Sequence, residues 1–176
     1  MNVLITGSPG VGKTTIGLLL QKAGYGFIDV DHTQGLTYWQ DKKTGERVTS
    51  DGNRDLAWYD AHDFNWDQVA LEKLLSERSV PVVFVCGVTS NLTEGSNLFD
   101  KVILLETDLA ILRVRRVERR NKSGQTDYKK EDIEQGFDEH ESLQSEMLKR
   151  GAIPVDANQS PEAIVRDIIS KLGLIV

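Results

Sequence analysis

Gly7-Ser8-Pro9-Gly10-Val11-Gly12-Lys13-Thr14-Thr15 follows directly on the apolar run Met1–Thr6 and opens a stretch where Ile16, Leu19, Leu20 and Ala23 recur at helical spacing. The nine residues contain G-x-x-x-x-G-K-[ST] at Gly7, Gly12, Lys13 and Thr14. Each residue type answers a physical demand. A loop that wraps a polyphosphate turns successive backbone N–H groups inward, and glycine tolerates the conformations this needs. Gly10 and Gly12 also leave room for an anion. A helix beginning near Gly12 adds its positive end. Lys13 sets a full charge against the outer phosphates, and the Thr14 hydroxyl is a hard oxygen ligand of the kind Mg²⁺ takes. The reading needs a strand before the loop and a helix after it, and the hydrophobic pattern supplies both. Gly24 stands where that helix can end.

The rest of the chain repeats this rhythm. Short continuous apolar runs recur at Phe27–Val30, Val80–Cys86, Lys101–Leu105 and Ala152–Val155. Continuous rather than alternating runs predict strands covered on both faces, as in a parallel sheet. Helical patterns lie between them. Asn65 with Gln68 reads as a capping pair ahead of Val69, Leu71, Leu74 and Leu75. Ala110, Val114 and Val117 mark a helix over 108–120. Ile133, Phe137, His140 and Met147 line another, and Ser160-Pro161-Glu162 starts a last one. Strands alternating with helices predict an α/β layered fold.

The chain has 176 residues, 39% of them hydrophobic, enough for a single-domain core over 1–176. A net charge of -6 argues against a nucleic-acid coat. No apolar run spans a bilayer, the N-terminus carries no secretory pattern, and Cys86 is the single cysteine, so a cytoplasmic protein without disulfides is expected.

With the loop at residue 7 and a second strand ending in Asp29-Val30-Asp31, the chain resembles the small P-loop kinases of the adenylate kinase and shikimate kinase group. The resemblance implies a three-layer P-loop NTPase fold: a five-stranded parallel sheet with helices on both faces, an acceptor cap after the second strand, and a late lid. Residues 32–64, polar and glycine-dotted, fall where the cap belongs, and 113–128 where the lid belongs. It further implies ATP and Mg²⁺ as cofactors, bound by Gly7 to Thr15, with Thr14 and Asp29 serving the metal and Asp31 the acceptor hydroxyl. Residues i and i+2 of a strand point the same way, so both carboxylates can face one site.

Five arginines stand between 113 and 120. Helical spacing puts Arg113, Arg116 and Arg120 on one side, with Arg115 and Arg119 turned elsewhere. Arg116 and Arg120 are the expected cations for the charge that spreads over a transferring phosphoryl group. The third strand ends in Gly87-Val88-Thr89-Ser90-Asn91 with no acid, which argues against an AAA-type motor or a switch GTPase. By fold analogy Asp156 and Asn158 border the adenine. Trp39, Trp58 and Tyr59 are candidates for stacking on a base, and Arg47 or Arg54 for an acceptor phosphate, against the alternative that the tryptophans build the cap's own core. His140 reads as a packed core histidine and Cys86 as a buried thiol. The expected activity is therefore ATP-dependent phosphoryl transfer to a small-molecule acceptor under the cap, first a nucleoside or nucleotide and next a small hydroxylated metabolite. A regulatory nucleotide-binding module is the rival.

Overall fold

A computed structural model describes residues 1–50, 54–123 and 139–175, with the backbone alone at 56 and 120–123. The strands are β1 (Asn2–Thr6), β2 (Gly26–Asp29), β3 (Thr37–Asp41), β4 (Arg47–Val48), β5 (His62–Trp66), β6 (Val83–Cys86), β7 (Lys101–Glu106) and β8 (Ile153–Asp156). The helices are α1 (Lys13–Lys22), α2 (Leu56–Ala61), α3 (Gln68–Ser76), α4 (Leu109–Ser123), α5 (His140–Lys149) and α6 (Pro161–Lys171).

Five strands form one parallel sheet in the order β2-β6-β1-β7-β8. Both faces are covered, which is why the apolar runs do not alternate with polar residues. Val3, Ile5, Phe84, Cys86, Ile103 and Leu105 face a core closed by Ile16 and Leu20 of α1, Leu112 of α4 and Ile164 and Ile168 of α6. Leu4, Val83, Val85 and Leu104 face the other, closed by Leu71 and Leu75 of α3 and Met147 of α5. Because every strand runs the same way, the segments after β1, β2, β6, β7 and β8 meet along one edge. That edge is where open α/β sheets bind ligands.

Two helix starts are instructive. α6 begins as its sequence predicts: Ser160 Oγ accepts from Ala163 N at 3.3 Å, with Pro161 in the first turn. α3 does not begin at Asn65. Asn65 belongs to β5, and Asp67 is the cap, its Oδ1 accepting from Ala70 N at 3.1 Å. The aspartate two residues on offers the same acceptor chemistry, and pairing of Asn65 opposite Tyr38 draws the earlier residue into a sheet. The stretch 32–64 is built rather than loose. It supplies β3, β4 and α2 and, with β5, a three-stranded antiparallel sheet in the order β4-β3-β5. Trp66, at the end of β5, is 1% exposed and sits in the main core, so it roots this insertion rather than filling it.

Helix α1 packs tightly on β2. A Cβ at Gly17 would lie 2.0 Å from Phe27 Cε2. Gly17→Ala is expected to lower stability by about 1–3 kcal/mol, the range for overpacking a filled interface. Urea unfolding checks this, and an unchanged midpoint would show that the ring yields at no cost.

Candidate active site

The loop between β1 and α1 takes its shape from three glycines at positive φ: Gly7 at 139°, Gly10 at 94° and Gly12 at 115°. Gly7 has a second reason to lack a side chain, since a Cβ there would stand 2.7 Å from the Leu105 carbonyl. Gly12 is the left-handed residue from which α1 starts. Lys13 is 8% exposed, and its Nζ donates to the carbonyls of Gly7 at 2.7 Å and Ser8 at 3.3 Å. Burial pulls its pKa down from the ordinary 10.5 to about 8, against the opposing attraction of Asp31 and Asp29.

Asp29 ends β2 and Asp31 lies in the turn beyond it, so strand alternation does not align the two as expected, yet both carboxylates converge on the start of α1. Thr14 Oγ1 donates to Asp29 Oδ2 at 2.7 Å, so two hard oxygens stand side by side. Asp29 Oδ1 accepts from Asp31 N at 3.2 Å and lies 3.0 Å from His32 Nδ1. Among the described residues no three His, Cys, Asp or Glu gather into a metal-holding cluster. Thr14 and Asp29 fit a hydrated Mg²⁺ whose other ligands come from phosphate and water, the usual arrangement for this ion. The Asp31 carboxyl is held above its ordinary range by partial burial. Lys13 opposes that shift, and the Asp29 charge adds to it. Lys13 and Asp31 thus perturb each other across the space in front of the loop. Cys86 Sγ donates to the Lys13 carbonyl at 3.3 Å, and burial pushes its thiol far up, as expected of an inert cysteine.

The arginine helix reaches the loop's carbonyls, with a different division than the helical spacing suggests. Arg116 Nε donates to the Pro9 carbonyl at 2.7 Å, and its stem covers Gly10, where a Cβ would come within 3.0 Å of Cγ. Arg115, expected to turn elsewhere, donates to the carbonyls of Val11 at 3.1 Å and Ala157 at 2.7 Å. Arg115 therefore ties the loop to the turn after β8. Spacing along one helix ranks its own faces but does not say which foreign carbonyl lies beside each. The Arg120 side chain and most of the expected lid beyond it lie outside the described residues. In the β8 turn, Asp156 Oδ1 accepts from Asn158 N at 2.9 Å, and Asn158 Oδ1 accepts from Thr107 Oγ1 at 2.6 Å. Thr15 is exposed in the first turn of α1.

Two contacts escaped the sequence reading. His32 lies against Asp29, a spacing of three residues that offered a local clue. Ser8 Oγ meets the buried His140 Nδ1 at 2.7 Å across 132 residues, where no local clue exists. The cap's aromatic rings pack mainly on each other. Trp39 meets Trp58 at 4.6 Å and Phe64 at 4.8 Å between centroids, and Trp58 stacks on His62 at 4.3 Å. Arg47 donates to Asp67 at 2.8 Å and covers Tyr38, so it is engaged within the cap. Gly87 is required by packing alone, since a Cβ would stand 2.3 Å from Val30 Cγ2.

Residues 3–141 match the family described as an AAA domain. The chain belongs to the AAA domain family. No curated protein matches the sequence. Among solved structures, a shikimate kinase from Acinetobacter baumannii in complex with shikimate is similar with a TM-score of 0.60 at 18% identity, covering 98% of this chain and 93% of that one. A gluconokinase from Sinorhizobium meliloti 1021 gives 0.57 at 19%, covering 98% and 91%. A deoxyadenosine kinase from M. mycoides, with products dCMP and dCDP bound, gives 0.54 at 16%, covering 98% and 99%. The fold of this AAA domain is thus that of the small P-loop kinases, as the loop and the Asp29-Val30-Asp31 strand end led us to expect. The turn after β6, Gly87 to Asn91, carries no acid. No helix among the described residues is long and apolar enough to cross a membrane.

The lowered Lys13 pKa makes a direct expectation. A bound polyphosphate favours the ammonium form and raises that pKa, so binding near pH 8 takes up about half a proton per site, and binding near pH 6 takes up almost none from this group. Calorimetric titration with ADP in buffers of different ionisation enthalpy measures it. Equal uptake at the two pH values would contradict the assignment.

Proposed function

We propose that the chain is an ATP- and Mg²⁺-dependent phosphotransferase, a single kinase domain over residues 1–176 that moves the γ-phosphoryl group to a small-molecule acceptor. The observation that carries the reading is the convergence of Lys13, the Thr14–Asp29 pair and Asp31 on one edge of the sheet. The loop amides from Gly7 to Thr15 grip the phosphates, and Lys13 leaves the Gly7 carbonyl to oppose their charge. Thr14 and Asp29 hold Mg²⁺, which when bound neutralises charge that develops on the phosphoryl oxygens. Asp31 orients the acceptor hydroxyl and takes its proton, a role its upward-shifted pKa suits. Arg116 and Arg120 are the proposed cations for the transferring group, Arg116 by exchanging the Pro9 carbonyl for a phosphate oxygen. The turn at Asp156 and Asn158 is proposed to border the base.

The acceptor is proposed to be a nucleoside or nucleotide held under the cap. A specific observation favours the second class, a small hydroxylated metabolite. Trp39 packs edge-on against Trp58, Trp58 stacks on His62, and Arg47 is paired with Asp67, which leaves the cap fewer groups for a base and its phosphate. The similar structures include both classes, a gluconokinase and a shikimate kinase on one side and a deoxyadenosine kinase on the other.

Purified protein with ATP and Mg²⁺ is expected to release ADP slowly alone and many-fold faster with the right member of a panel of nucleosides, monophosphates and small polyols. Steady turnover that no acceptor changes would favour the regulatory ATPase instead. Asp31→Asn should lower transfer by about 10²–10⁴-fold, the usual worth of a positioned base, with ADP affinity kept. Full transfer in that variant would remove Asp31 from the role.

A further inference from the structure

The phosphate loop is held from the far end of the chain by one histidine. His140 is the first residue of α5, 2% exposed, and Ser8 is 1% exposed. Its Nε2 lies 2.9 Å from the Thr107 carbonyl, which can only accept, so in the neutral ring the proton stands on Nε2. Nδ1 is then an acceptor, and the Ser8 hydroxyl donates to it at 2.7 Å. Gln144 Nε2, 3.1 Å from His140 Nε2, is a second N–H and adds no bond there, while Gln144 Oε1 accepts from Thr107 N at 3.4 Å. The same Thr107 donates through Oγ1 to Asn158 Oδ1 at 2.6 Å. One chain of bonds therefore runs from the buried Ser8 through α5 and the end of β7 to the exposed turn after β8. Its other terminus matters more. The Ser8 carbonyl, on the residue His140 holds, accepts from Lys13 Nζ and from Val11 N, the latter at 3.1 Å.

We propose that His140 is a positioning residue for the phosphate loop, holding Ser8 so that the loop and the Lys13 ammonium are set for a nucleotide before it arrives. This deepens the kinase reading and rests on it only in that the loop binds nucleotide; it needs no acceptor. A buried imidazole with both ring nitrogens engaged is rigid, so Ser8 has one orientation to adopt. The Ser8 hydroxyl is thereby spent on the protein, and its backbone is left to serve the ligand.

The test compares His140→Phe, which keeps a ring but loses both bonds, with Ser8→Ala, which loses only the hydroxyl. A third variant, His140→Asn, can place its Oδ1 near the position of Nδ1. Calorimetry with MgADP reads affinity. His140→Phe and Ser8→Ala are each expected to bind MgADP about tenfold more weakly, the worth of one lost buried hydrogen bond. Their double variant should be no weaker than His140→Phe alone, because both remove the same contact. His140→Asn, which restores an acceptor beside the Ser8 hydroxyl, should recover most of the lost affinity, a rescue that a merely structural role for the ring would not give. If His140→Phe does not fold, Ser8→Ala alone decides. Parent affinity in Ser8→Ala, or losses in the two single variants that simply add, would overturn the proposal. Parent protein that fails to bind MgADP at all would instead overturn the nucleotide site.

Discussion

A buried ammonium governs the rest of this structure. Lys13 must sit at the first turn of α1 to face a phosphate, yet there it is cut off from water and rests on two carbonyls, those of Gly7 and Ser8. A charge so placed costs free energy unless partners surround it. The surroundings follow from that constraint. Gly7 and Gly10 bend the loop so that its carbonyls can reach Nζ, and Asp29 and Asp31 arrive from the neighbouring part of the sheet to oppose the charge. Arg115 and Arg116 hold the loop by its Val11 and Pro9 carbonyls, which keeps two further cations close.

The architecture makes this arrangement possible at modest size. With all five core strands parallel, β1 lies at the centre and its loop opens between the ends of β6 and β7. The carboxylates after β2 and the turn after β8 then flank it from opposite sides. The catalytic proposal needs nothing from the sheet interior, which is free to be apolar on both faces.

The sheet and the loop were legible in the sequence for a physical reason. Continuous apolar runs, helical spacing and glycines at positive φ are local properties, and a motif of nine residues carries its own requirement for a strand before and a helix after. The cap was legible only in outline. Its polar, glycine-dotted composition marked an insertion, but the packing of Trp39 against Phe64 depends on the pairing of β3 with β5, which sequence spacing does not reveal. Long-range polar contacts were the least legible. Arg115 looked turned away because a helical projection ignores what else packs nearby. His140 looked like core because it is core, and its bond to Ser8 closes a loop of well over a hundred residues. Asn65 looked like a cap because Asp67, two residues later, offers equivalent chemistry.

The deciding question is where a nucleotide's phosphates lie. A crystal of the protein soaked with a non-hydrolysable ATP analogue and Mg²⁺ decides it. The β-phosphate is expected inside the curve from Gly7 to Thr14, with Lys13 Nζ moved from the Gly7 carbonyl onto a phosphate oxygen and the ion beside Thr14. An analogue bound elsewhere, with Nζ still resting on Gly7, would contradict the reading at its root.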